Sequence, residues 1–83
     1  MTIALNPDKN GDCTRPLREA LRDNTDPTVV IDLERVPYLS SSALAELAQF
    51  RRKNEAQVVL THASAIVVRT LNIVGMNRLF TIA

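Results

Sequence analysis

From Thr28 to Leu33 the chain reads TVVIDL, with three β-branched apolar residues, Val29, Val30 and Ile31, in direct succession. A strand with one wet face alternates polar and apolar residues. An unbroken run argues for a strand covered on both faces, as in a parallel sheet flanked by helices. Parallel neighbours cannot be joined by a tight turn; they need a crossover of roughly a dozen residues, usually a helix. The segment that follows supplies one. After a bend at Glu34 to Leu39, three serines, Ser40, Ser41 and Ser42, open a stretch reading ALAELAQFRRKN. Leu44, Leu47 and Ala48 recur at helical spacing with Ala43 and Phe50 beside them, and Arg51, Arg52 and Lys53 fall at the C-terminal end, which the helix dipole favours for cations. This predicts a helix from Ser41 or Ser42 to Asn54. QVVLT, Gln57 to Thr61, reads as the next strand.

The flanks repeat the alternation. TIAL, Thr2 to Leu5, is strand-like and ends at the turn signal Asn6-Pro7, with Asn10-Gly11 a further turn dipeptide. Thr14 is expected to cap a helix with Pro16 in its first turn, where a missing N–H costs little. Leu17, Ala20 and Leu21 then form one apolar face. Ala63 to Gly75 is ambiguous by propensity, since Ile66-Val67-Val68 suits a strand. Val67, Leu71 and Val74 recur at i, i+4 and i+7, however, Ser64 can cap, and Gly75 stands where a helix-ending glycine belongs, so the segment reads as helix. LFTI, Leu79 to Ile82, closes the order β–α–β–α–β–α–β, an α/β layer architecture in a single domain over 1–83.

Composition removes several function classes. Lysine plus arginine total 10 against 9 acids, a net charge of +1, and there are only two Phe, one Tyr and no Trp. Neither an electrostatic footprint nor a stacking platform for nucleic acid is present. No apolar run approaches the ~20 residues that cross a bilayer, and MTIALNPDKNG has no signal-peptide character. The single Cys13 and single His62 cannot build a structural zinc site. The chain reads as a cytoplasmic domain with no cofactor and no metal. Cys13 reads as a small filler near a helix start. His62 reads as a solvated loop residue, with no carboxylate placed beside it by any obvious spacing.

The chemistry concentrates at the serines. Backbone N–H groups at a helix start favour anions, and a serine there serves either as a cap or as the carrier of a phosphate. No base stands near enough in sequence to activate a serine as a nucleophile, which argues against an enzyme.

Three stretches resemble the STAS domain family, named for sulfate transporters and anti-sigma-factor antagonists. VVIDLERVPYLSSSAL (Val29 to Leu44) is similar to its strand, Asp-Leu, apolar bend and D-S-S-G-L helix start. ASAIVVRTLNIVGMNRLFTI (Ala63 to Ile82) is similar to its closing helix, turn and last strand. GDCTRPLREAL (Gly11 to Leu21) resembles the glycine, acidic residue and threonine that open its first helix. Ser40 stands where antagonists carry the aspartate, and Ala43 where they carry the glycine.

The resemblance implies a mixed sheet of about four strands flanked by three to four helices, without the family's additional outer N-terminal strand. The sheet edge so exposed would suit a homodimer or another strand-adding partner. By motif position Ser42 is the phosphoacceptor, with Ser41 second to it. Ser40, Ser41, Ser42, Ala43, Leu44, Leu47 and Asp32 are the expected partner-binding residues. The implied function is an anti-anti-sigma-type regulatory module that docks on an anti-sigma factor acting as a serine kinase. The alternative is a non-phosphorylated subunit of a multiprotein assembly, such as one seated on the ATPase of a lipid-transporting ABC system.

Overall fold

The computed structural model describes all 83 residues. Its elements are β1 (Thr2–Ala4), α1 (Thr14–Leu21), β2 (Thr28–Asp32), α2 (Ser41–Asn54), β3 (Gln57–Thr61), α3 (Ala65–Ile73) and β4 (Thr81–Ile82). The strands form one sheet in the order β1-β2-β3-β4. Every pairing is parallel rather than mixed, with Ile3 beside Ile31, Ile31 beside Leu60 and Leu60 beside Ile82. Each pair is joined through a helix, so no hairpin exists to reverse a strand.

Sheet order equal to chain order has a consequence. Successive crossovers of the same, right-handed sense place their helices on one face of the sheet. The burial follows that rule. Val29 and Ile31 of β2 and Val58 and Leu60 of β3 are buried, whereas the intervening Val30, Asp32, Val59 and Thr61 are only half-buried. The run of β-branched residues therefore does not mark a strand covered on both faces. It is a one-sided strand whose outer positions are also valine, the residue type that suits pleated backbone whether or not a helix covers it.

The core gathers nineteen residues, including Leu17 and Leu21 of α1, Leu44, Leu47 and Phe50 of α2, and Val67 and Leu71 of α3. Helix α2 enters it with a staple: Leu39, just before the Ser40 cap, and Leu44, four residues into the helix, are both buried. Cys13 is buried as a core filler, and burial, helped by the charges of Asp12 and Asp8, pushes its thiol pKa up.

Several local expectations shift. Thr14 is the first residue of α1 and not its cap; the cap position is Cys13, which makes no side-chain cap bond. Val74 lies at the end of α3 with half its surface exposed, because the helix finishes at Ile73 and Gly75 then turns the chain at φ +75°. The last strand begins at Thr81, since Leu79 is held in a turn by a bond from its N–H to the Met76 carbonyl.

Candidate functional site at the C-terminal edge of the sheet

In a parallel sheet every strand-to-helix loop emerges at the same edge, where open α/β folds collect their ligands. Here three such loops meet: 5–13 after β1, 33–40 after β2, and 62–64 after β3. Hydrogen bonds tie them together.

The first loop is built on Asp8. Its Oδ1 accepts from the N–H groups of Asn10 at 2.8 Å and Asp12 at 3.0 Å, while its carbonyl accepts from Gly11. Gly11 sits at φ +79°, and a methyl there would lie 3.6 Å from the Tyr38 hydroxyl, so the Tyr38 ring reaches back across this loop. The turn delivers Asp12 to the start of both α1 and α2. Its Oδ1 accepts from the Thr14 N–H at 3.0 Å, the Thr14 hydroxyl at 2.8 Å and the Ser40 hydroxyl at 3.1 Å. These donors hold its carboxyl below the ordinary aspartate value, the Thr14 N–H contributing most. Both hydroxyl protons are committed to Asp12, which leaves the 3.4 Å approach of Thr14 Oγ1 to Ser40 Oγ as a contact without a bond of its own.

The three serines separate by role. Ser40 is the cap of α2: its backbone is extended, its Oγ accepts from the Ala43 N–H at 3.2 Å, and its proton goes to Asp12. Ser41 and Ser42 occupy the first two helical positions and are exposed. Ala43, Leu44 and Leu47 are buried in the core at 0%, 3% and 0% exposure. They cannot supply docking surface in the folded chain, because a helix resting on a sheet turns its apolar stripe inward. Pro37, Tyr38 and Ala45 are exposed near the serines in sequence. The third loop joins through Ser64, whose Oγ caps α3 at the Val67 N–H and donates to the Pro37 carbonyl.

Asp32 lies at the end of β2 on the outer face. Its Oδ1 accepts from the Glu34 N–H at 3.0 Å and stands 3.0 Å from His62 Nδ1. The carboxyl is held below its ordinary value, first by the Glu34 N–H, with partial burial opposing and His62 assisting. His62 is thus not an isolated loop residue. The register that pairs Asp32 with Thr61, the last residue of β3, sets the residue just after the strand beside that carboxylate. Sequence spacing alone conceals this, since the two lie thirty residues apart. Asp12 and Thr14 were equally hidden as members of the serine site, although the Gly11 to Leu21 resemblance was a signal for them.

The result is a small α/β domain that offers an edge of three hydrogen-bonded loops and an exposed serine pair at a helix start. It has the form of a regulatory or binding module. The family model for the STAS domain matches residues 9–83, and the chain belongs to that family. A comparison with curated proteins gives no significant match. STAS domains are generally regulatory or binding modules and not enzymes, and no helix of this chain is long and apolar enough to cross a membrane.

Proposed function

We propose that this chain is an anti-sigma-factor-antagonist-type docking module, which binds an anti-sigma factor acting as a serine kinase and is released when that kinase phosphorylates Ser42. One observation carries the reading. Ser40 alone fills the cap of α2, so Ser42 stands exposed at the second helical position with no capping duty. A phosphate there adds about −1.5 to −2 of charge at the end of a helix that favours anions, so the fold survives and the change is felt by the partner. The docking surface is then Ser41, Ser42, Ala45 and Tyr38, with Ser40, Ala43, Leu44 and Leu47 holding the helix from beneath and Asp32 bracing the adjoining loop. The substitutions at Ser40 and Ala43 also suit a constitutive subunit on an ABC transporter ATPase.

The test is purification of the chain from its native host, identification of the co-purifying protein, and phosphosite mapping. A serine kinase of the anti-sigma type, lost on Ser42→Asp and retained on Ser42→Ala, is the expected result. A transporter ATPase retained by both variants would replace the switch with the subunit reading.

A further inference from the structure

We propose that Asp32, Glu34 and His62 form a surface site for a divalent transition-metal ion. The three side chains offer one imidazole nitrogen and two carboxylate oxygens, and these ligand atoms all lie within 4.8 Å of one another. Two of them are close to coordination spacing. Bonds of about 2.0–2.1 Å at the tetrahedral angle of zinc separate neighbouring donor atoms by about 3.3–3.4 Å; His62 Nδ1 and Asp32 Oδ1 are 3.0 Å apart, so a small outward shift of either side chain admits the ion. Glu34 is exposed, and a rotamer change of its long side chain brings its carboxylate to the same centre.

The backbone holds the arrangement. Asp32 ends β2 and is paired with Thr61, the last residue of β3, which His62 follows, and the Glu34 N–H is bonded to the Asp32 carboxylate, so Asp32 is tied to the backbone of Glu34. The ligand set also selects the ion. Imidazole with two carboxylates suits zinc, cobalt or nickel, whereas magnesium and calcium prefer oxygen alone. The His62 and Asp32 side chains are 64% and 28% exposed, so a bound ion keeps open positions for water or for a partner's side chain. This is a three-ligand open site and is unrelated to the Cys/His structural zinc that the composition excludes.

His62 is the only histidine, which gives the test an unambiguous reporter. The untagged full-length chain is titrated with zinc and with cobalt by calorimetry, while the His62 ring nitrogens are followed by NMR. Expected are saturation at one ion per chain, a shifted His62 Nδ1 signal, and no such shift with magnesium. His62→Asn, chosen because asparagine tolerates the φ of +55° at this position, and Glu34→Gln, on the surface, should each weaken zinc binding tenfold or more with unchanged circular dichroism. Failure to saturate at millimolar zinc overturns the site. So does a smaller loss of affinity in either variant.

Discussion

Replacing each of the three serines by alanine separates the cap from the exposed pair. In Ser40→Ala the Ala43 N–H loses its acceptor at 3.2 Å and Asp12 loses the hydroxyl donor at 3.1 Å. A lost serine cap costs about 1 kcal/mol, within about 0.5–2. The Asp12 bond adds little, because water reaches that carboxylate and replaces the donor. For a domain of 60–100 residues each 1 kcal/mol moves Tm by about 4–8 °C, and that is the fall expected for Ser40→Ala. Ser41 and Ser42 are exposed first-turn residues, so alanine there should stay within about 0.5 kcal/mol of the parent. The assay is thermal unfolding of the four proteins at pH 7, with urea titration as a check that the transition remains two-state. A Ser42→Ala protein that melts as early as Ser40→Ala would refute the division of roles. A Ser40→Ala protein within about 2 °C of the parent would do the same.

Leu47→Ala empties a fully buried site between α2 and the sheet, and should cost about 2–5 kcal/mol. A domain of this size has only about 5–15 kcal/mol in all, so the urea midpoint should fall steeply at an unchanged m-value. Gly75→Ala meets no neighbouring atom but must hold φ at +75°, which an L side chain resists by about 1–2 kcal/mol; a Tm drop of several degrees in scanning calorimetry is expected. Asp12→Asn should show a pH-dependent deficit. The Asp12 pKa is lowered in the fold from 3.8, so its contribution is full above the unfolded value and is lost as pH falls through the lower, folded value. The gap between parent and variant in urea titrations should be widest near neutrality and close below pH 3.8.

The element order was legible because each segment carries its own period and punctuation: the serine start and basic end of α2, Ser64 and Gly75 around α3, and β-branched runs at β2 and β3. The coverage of the sheet was not. Val30 and Val59 resemble buried residues by type, and only the pairing order β1-β2-β3-β4 reveals that all three helices use the opposite face. Contacts made across loops were hidden for the same reason. Asp12 meets Ser40 over twenty-eight residues, where two strand-to-helix loops share one sheet edge, and Asp32 meets His62 over thirty, through the register of β2 with β3; no local window contains either. Leu44 and Leu47 failed as docking residues on a simpler count. The apolar stripe that identifies a helix is the surface it hides.

That last point narrows what a partner can read. The α2 start has an inner half that is committed, with Ser40 tied to Ala43 and Asp12 and with Leu39, Ala43, Leu44 and Leu47 in the core. Its outer half is Ser41, Ser42 and Ala45, small side chains that leave the backbone close to the surface. A partner docking there gains little from burying large apolar groups and depends on close fit, so an added dianion is an obstacle in both size and charge. The aspartate of the family motif is replaced by Ser40, and the carboxylate at this helix start comes from Asp12 in another loop. Its Oδ1 accepts from Thr14 and Ser40. The negative charge beside the serines is therefore held in place by the fold and does not depend on the serine motif. On the proposed reading, phosphorylation changes the surface while the cap, the staple and the Asp12 network keep the helix where it was.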